Sequence, residues 1–182
     1  MKRKWNRDDF WLVCKYSVVV ALIAIVVRGF LFVPIQVEGR SMQTTLNPND
    51  WVLVESFSRI KRFDVIVFQL PDGNTYIKRV IGLPGEQVAY RHDQLFVNNQ
   101  PVAEPFLKEN QRNDRIKENY TNNFSLHELL DVTKLGKDSY FVMGDNRRVS
   151  KDSRSFGAVT DSQIIGKAIG VYYPIHAIKP IR

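Results

Sequence analysis

Hydrophobic and polar positions divide the chain into an apolar N-terminal segment and a longer region of short apolar runs. Residues 16–27, YSVVVALIAIVV, carry no charge and are apolar all round rather than along one stripe. After Pro34, runs rich in valine, isoleucine and aromatic residues alternate with turn residues, which predicts a mainly β domain. The predicted strands are WVLVESF from Trp51, DVIVFQL from Asp64, TYIKRVIG from Thr75, QLFVNNQPV from Gln94, YFVMGD from Tyr140 and AIGVYYP from Ala168.

The apolar segment predicts a single transmembrane anchor. Its uncharged part would reach only about 18 Å as a helix, against a hydrocarbon layer of about 30 Å, so the span must include both flanks, residues 10–33. Lys15 and Arg28 then lie near its ends, where their charges can reach the headgroups. The alternative is a buried helix of a soluble protein.

The orientation of the anchor follows from the basic residues before it, which are Lys2, Arg3, Lys4 and Arg7. The positive-inside rule places residues 1–9 in the cytoplasm and residues 34–182 outside the cell membrane. The apolar run ends in Arg-Gly-Phe-Leu-Phe-Val-Pro, without the small residues of a cleavage site. We therefore expect an uncleaved, single-pass signal anchor.

The outer region contains one polar interruption. Residues 103–138 are rich in charged and amide side chains, which predicts an inserted surface segment with one short helix around residues 126–130.

The formal net charge of +7 is concentrated at the N-terminus. Residues 1–40 carry seven basic and three acidic side chains, and the remainder carries 19 and 16. The outer region therefore lacks a strongly basic face, and nucleic acid is not an expected partner. A single cysteine, Cys14, excludes intrachain disulfides and a CxxC metal site. The sequence leaves the oligomeric state open.

Ser41, in the segment EGRSMQTTL at 38–46, is a candidate nucleophile that needs a base. The histidines, His92, His127 and His176, lie in turn-like, polar or terminal contexts typical of solvated side chains. The sequence HELLD at His127 lacks the second histidine of a zinc-binding HExxH motif. We expect neither a metal nor another cofactor.

Lysine is the other candidate base. In TYIKRVIG, a period of two places Lys78 with Tyr76 and Val80 on one strand face, and Ile77 and Arg79 on the other. Burial of Lys78 among apolar neighbours would move its pKa from about 10.4 toward 8 and leave a neutral amine to act beside a serine. Taken alone, the run is more simply an ordinary Lys-Arg pair on a strand face.

The segment GDNRRVSKDSRSFG, residues 144–157, follows an apolar strand and would ordinarily be a solvated loop. Its charges alternate in sign, so we expect them to pair with one another and form a rigid turn, with Ser150 near the amine. The charged residues concerned are Asp145, Arg147, Asp152 and Arg154.

Four motifs together resemble bacterial type I signal peptidases over most of the chain, in the compact, one-anchor form of Gram-positive bacteria. They are Ser41-Met42 after the anchor, RFDVIVF around Asp64, KRVIGLPGE at 78–86 and GDNRxxSxDSR at 144–154. The resemblance implies a signal-peptidase-like β domain in which Ser41 is the nucleophile and Lys78 the general base. It implies that Ser150 orients the lysine amine and that the four charged residues hold the loop behind the dyad. For Asp64 it implies a structural role and no chemical one.

The resemblance also implies the substrates, which are secreted precursor proteins whose signal peptides are cut after small residues at the lipid bilayer. Such residues need shallow apolar pockets, and each candidate lining residue is equally consistent with a core position. The candidates are Ile35, Val37, Met42, Leu46 and Ile77. The backbone N-H of Ser41 is the expected oxyanion donor.

Two positions depart from the family pattern. Thr44 replaces a common proline, which leaves the turn after the nucleophile looser, and Gly39 replaces a serine found in some members, which leaves the second oxyanion donor unidentified.

Two other functions fit parts of the pattern. A nonproteolytic, signal-peptidase-like helper of pilus assembly would share the fold, but the presence of both Ser41 and Lys78 argues against it. A self-cleaving serine-lysine protease of the repressor type would share the dyad but should be cytoplasmic and unanchored.

Overall fold

The apolar runs after Pro34 form strands, and the mainly β prediction is confirmed. The structure is a computed structural model that describes residues 7–30, 32–116 and 118–181. It divides into two units, Met1–Val33 and Pro34–Arg182. The strands of the described residues are β1 (Phe32–Gln36), β2 (Trp51–Glu55), β3 (Val65–Gln69), β4 (Thr75–Gly82), β5 (Val88–Arg91), β6 (Gln94–Val97), β7 (Gln100–Val102), β8 (Phe124–Ser125), β9 (Ser139–Met143), β10 (Val159–Thr160), β11 (Ile164–Tyr173) and β12 (Lys179–Pro180).

These strands form two sheets. The larger has the order β1-β2-β11-β3-β4-β9-β10, with β12 on β11, and the smaller has the order β7-β6-β5-β8. The strand pairs with a described register are antiparallel. Strand β4 lies inside the larger sheet between β3 and β9, and its last six residues are buried.

A tight turn at 70–74 sets the register of β4. The backbone N-H of Gly73 donates to the carbonyl of Leu70, and Asp72 accepts a hydrogen bond from the N-H of Asn74. Gly73 has a φ of 83°, a conformation that glycine adopts without steric cost. The turn pairs Lys78 with Ile66 and so places the lysine in the middle of the sheet.

The described helices are α1 (Arg7–Phe30), α2 (Lys108–Asn113), α3 (Leu126–Leu130) and α4 (Ser153–Phe156), with 3-10 turns at Pro105–Leu107, Asp161–Gln163 and Ile175–Ala177. Helix α1 ends three residues before the expected boundary at Val33, which lies in β1. Pro34 disfavours a helical conformation at the residue before it. Residues 1–6 of the expected cytoplasmic N-terminus lie outside the described residues.

The expected membrane span is not confirmed by the structure. In the part of the chain that is described, no helix combines the length and the apolar character that crossing a membrane requires.

Residues 103–138 are less peripheral than their composition indicated. They include the predicted helix α3, but also α2 and β8, which pairs with β5 of the smaller sheet. Phe124, Leu126 and Leu135 belong to the apolar cluster of the smaller sheet. Several side chains of this segment are buried. These are Leu107, Tyr120, Thr121, Phe124, Leu126 and Leu135.

Candidate active site

Ser41 and Lys78 meet although 37 positions separate them in the chain. The Nζ of Lys78 donates a hydrogen bond of 2.9 Å to the Oγ of Ser41, and another of 2.9 Å to the carbonyl of Ile77. Ser41 lies in a turn between β1 and β2, and Lys78 lies on β4. A nucleophile and a base at this distance can exchange a proton directly.

The Lys78 side chain is almost completely removed from water. The residue is 4% exposed, and its Nζ lies 5.4 Å from the centre of the Tyr76 ring. Burial lowers the pKa of Lys78 to about 8, against the opposing effects of the carboxylates of Asp152 and Asp145. A substantial fraction of the amine is therefore neutral near pH 8, as a general base requires.

Arg79, the next residue of β4, forms a fully buried, two-point ion pair with Asp145. Its Nε and Nη2 donate hydrogen bonds of 2.8 and 2.7 Å to the two carboxylate oxygens of Asp145, and both residues are fully buried. The guanidinium also donates to the carbonyl of Phe63 and the hydroxyl of Thr45, and stacks 4.2 Å from the Phe106 ring. This pair ties the strand that carries the lysine to the loop after β9.

The alternating signs predicted that the charged residues of this loop pair with one another, but Asp145 and Arg147 pair with residues outside it. Asp152 pairs with Arg154 at 2.8 Å, but Asp145 pairs with Arg79, and Arg147 pairs with Glu104 at 2.5 Å. The loop is thus held mainly by partners distant in sequence.

Arg147 lies in a buried polar cluster behind the site. Its Nη1 donates to the hydroxyls of Tyr90 and Thr121 at 2.6 and 3.0 Å, and its Nε donates to the carbonyl of Gly144. Because all these groups are satisfied inside the protein, the cluster holds the loop in one conformation.

Asp152 remains ionised although it is buried. Burial opposes the charged form, but hydrogen bonds from Arg154 and from the backbone N-H of Gly144 hold the pKa of the carboxyl below its ordinary value. The Ser150 hydroxyl also lowers this pKa, yet its Oγ is buried and makes no well-formed hydrogen bond with any described group. A hydrogen bond from Ser150 to the lysine amine is thus absent from the described contacts.

The loop after β9 also holds the backbone of the nucleophile. The N-H of Asn146 donates to the carbonyl of Ser41 at 2.9 Å. Gly144 leaves no room for a side chain, since a Cβ there would lie 2.5 Å from that same carbonyl and would overlap the hydroxyl of Ser150. Glycine at 144 therefore allows the two loops to approach each other.

An open cleft of about 760 Å³ runs past the Ser41 hydroxyl. Four of the five predicted pocket residues line it, namely Ile35, Val37, Met42 and Ile77. The fifth, Leu46, is fully buried in the core and is not part of the lining, because it lies inside the turn that follows the nucleophile.

The histidines are exposed and make no described contact with the dyad: His92 lies in a turn at φ 50°, and His127 and His176 lie on short helices. Gly39 is exposed at φ 74°, and a Cβ added there would lie in open space. Within the described residues, no group of His, Cys, Asp or Glu side chains is arranged to hold a metal ion.

Other motif residues have structural contacts. Asp64 accepts a hydrogen bond from the N-H of Lys61 and pairs with Lys167 at 3.3 Å, in keeping with a structural role. Thr44 follows a cis peptide bond. Arg79 and Asn146 were not predicted as site residues. The local sequence provided one indication for Arg79: the alternation in TYIKRVIG places this charged side chain on the strand face opposite to Lys78. If that face is buried, the charge requires a partner.

Comparisons with known proteins identify the family. A family model described as "Signal peptidase, peptidase S26" matches residues 11–173. The chain is 43% identical over 164 residues to signal peptidase I V of Bacillus subtilis, covering 88% of this chain and 96% of that protein. It is 33% identical to signal peptidase IB of Staphylococcus aureus, covering 93% and 91%. The crystal structure of a signal peptidase I from Enterococcus faecalis superposes with a TM-score of 0.59 at 42% identity, covering 62% of this chain and 98% of that chain.

The close contact at Gly144 gives a prediction about stability. Gly144→Ala should force the Ser41 and Ser150 loops apart and lower the free energy of unfolding by about 1–3 kcal/mol, measured by urea denaturation. Gly136→Ala is the matched control, because its new Cβ would meet chiefly the movable side chains of Ser139 and Asp138. Equal stability of the two variants would show that the Gly144 contact does not constrain the loops.

Proposed function

This chain belongs to the signal peptidase family, peptidase S26, and we propose that it removes signal peptides from exported precursor proteins with Ser41 as nucleophile and Lys78 as general base. The observation that carries the proposal is the 2.9 Å contact between Ser41 Oγ and the buried amine of Lys78. The names of the relatives support the substrate class, since each is a signal peptidase I.

The proposed reaction begins with neutral Lys78. Its amine takes the proton of Ser41 as Oγ attacks the scissile carbonyl, and the resulting ammonium then protonates the leaving amine. A water molecule activated by the same lysine hydrolyses the acyl-enzyme. The backbone N-H of Ser41 donates to the oxyanion that forms in each tetrahedral intermediate.

The surrounding charges act on the position of the dyad rather than on the substrate. Asp145 and Arg147 connect the loop to β4 and to the smaller sheet, and Asp152 with Arg154 closes it. Ser150 has a buried hydroxyl in this loop, and this hydroxyl and the Ser41 carbonyl both lie against Gly144. We assign Ser150 to orienting the lysine amine during the reaction.

The cleft supports a preference for small residues before the cut. Val37 and Met42 are 3% and 2% exposed, and Ile77 is 9% exposed, so these side chains form a shallow floor rather than a deep pocket. A large side chain would have to displace core atoms, which overpacks the core. Ile35 forms part of the rim.

We also propose that helix α1 anchors the chain in the cell membrane, although its described residues fall short of the apolar character of a spanning helix. Along its described part, large apolar side chains are exposed, including Trp11 at 69% and Tyr16 at 64%. With 24 residues the helix is about 36 Å long, and a hydrocarbon layer is about 30 Å thick. Residues 1–9 would then be cytoplasmic and residues 34–182 extracytoplasmic.

The dyad is tested by cleavage of a secretory precursor with the detergent-solubilised protein. We expect the parent to cut after a small residue, and Ser41→Ala and Lys78→Ala to lose at least about 1,000-fold in rate, since each removes a group that acts only in the reaction. Mass spectrometry of the products locates the cut and tests the pocket assignment.

Ser56→Ala and Lys137→Ala, at exposed positions, are the matched controls and should cleave normally. If the folded parent cleaves none of several precursors in lipid, the nonproteolytic assembly helper becomes the better explanation. Full activity in either dyad variant would instead exclude that residue from the chemistry.

The lowered pKa of Lys78 predicts the pH dependence. Since the deprotonated amine is the active form, kcat/KM should rise about tenfold per pH unit at acidic pH and level off above about 8. Initial rates at subsaturating precursor from pH 5 to 10 measure the profile. A half-point near pH 6.5 would point to a histidine, and a flat profile would exclude a titrating base.

The anchor is tested in cells that express the full chain. We expect it to stay with the membrane fraction after alkaline carbonate extraction, and residues 34–182 to be digested by protease added outside the cells. Extraction into the soluble fraction would exclude an anchor. Retention without external digestion would show that the outer domain does not face outward.

A further inference from the structure

Helix α2 brings one side chain of the polar insertion to the active-site loops. The amide nitrogen of Asn110 donates a hydrogen bond of 2.7 Å to the carbonyl of Gln43 and another of 2.9 Å to the carbonyl of Asp145. Both neighbours are acceptors, so the position requires a group that has two N-H donors and can supply one to each. An asparagine amide meets that requirement, and an acidic side chain of the same shape does not.

The two carbonyls belong to the two segments that form the dyad support. Gln43 lies two residues after Ser41 in the turn that carries the nucleophile. Asp145 precedes Asn146, whose N-H holds the carbonyl of Ser41 at 2.9 Å. Asn110 and that backbone hydrogen bond therefore link the same two segments at two different points.

The loop after β9 has further contacts at Asp145 that hold it in place. The Tyr120 hydroxyl donates to the Asp145 carbonyl at 3.1 Å, and the Asp145 carboxylate is held by Arg79. Among the described side-chain hydrogen bonds, Asn110 makes the one to the carbonyl of Gln43. Loss of the amide would leave this carbonyl unpaired and free the turn to move relative to Lys78.

We propose that Asn110 is a positioning residue of the peptidase, which fixes the Ser41 turn against the loop after β9 and so keeps the hydroxyl within reach of the lysine amine. It acts through the backbone at Gln43 and does not contact the reacting atoms. The polar insertion thus contributes to catalysis although it lies outside the four sequence motifs. The inference rests on the proposed function of the Ser41–Lys78 dyad.

Two substitutions separate hydrogen bonding from packing. Asn110→Ala removes both donors, and Asn110→Asp preserves the shape but places an acceptor against two carbonyls. If donation matters, both should lower kcat by about 10-fold or more, with Asp at least as damaging as Ala, while KM changes by less than about threefold, because the cleft is untouched. Asn113→Ala, at an exposed asparagine of the same helix, is the matched control.

Kinetics with a precursor are measured together with the thermal unfolding midpoint and the pH profile of kcat/KM. The proposal predicts that the plateau of kcat/KM at high pH is lower in the variants. The pH at which kcat/KM falls on the acidic side should be unchanged, since Lys78 stays buried. It is overturned if Asn110→Asp retains parental kcat, if Asn110→Ala leaves kcat unchanged, or if the loss of rate follows only a loss of folded protein. An inactive parent would count against the proposed function instead, since the inference is read only from variants of a parent that cleaves.

Discussion

The active site depends on the buried ion pair between Arg79 and Asp145. Both side chains are fully removed from water, and such burial is tolerated only when the remaining hydrogen-bonding groups are also satisfied. Here the guanidinium meets the carboxylate, the carbonyl of Phe63 and the hydroxyl of Thr45. Because Arg79 follows Lys78 in the same strand, and Asp145 precedes Asn146, whose N-H holds the Ser41 carbonyl, this pair fixes Ser41 and Lys78 relative to each other.

The same arrangement of charges suits Lys78 to the proposed role of general base. Two carboxylates near Lys78 would raise the pKa of its amine, but Asp145 is paired with Arg79 and Asp152 with Arg154. Burial therefore prevails and lowers the pKa from 10.5 to about 8, which corresponds to about 3 kcal/mol against the charged amine. This cost to the stability of the fold is present below pH 8 and is relieved as the pH rises toward 10.5.

The local sequence pattern predicted the strand that carries Lys78, but it did not predict which distant residues contact that strand. Alternation in TYIKRVIG correctly predicted a strand, and it predicted the burial of Lys78 among apolar neighbours. Strand β5 was missed because only Val88 and Tyr90 alternate within a short, polar stretch. The partner of Arg79 is 66 positions away, and no periodicity relates residues at that distance.

Composition also misdirected two predictions. The alternating charges after Gly144 favoured internal pairing, but Arg147 finds a buried carboxylate and two hydroxyls on other segments, where the low dielectric strengthens each contact. The polar character of residues 103–138 favoured a surface location. Their sparse apolar residues are nevertheless spaced so that they cover the smaller sheet, and average polarity does not reveal that spacing.

The site is closed behind the dyad and open in front of it. Behind it, the buried ion pairs and the tight approach at Gly144 leave the lysine and the nucleophile turn little freedom. In front, Ser41 is partly exposed along an open cleft, and Gly39 borders empty space. An extended peptide can lie along such an open cleft. Rigid reacting groups beside an open channel are what cleavage of a chain within a much larger precursor requires.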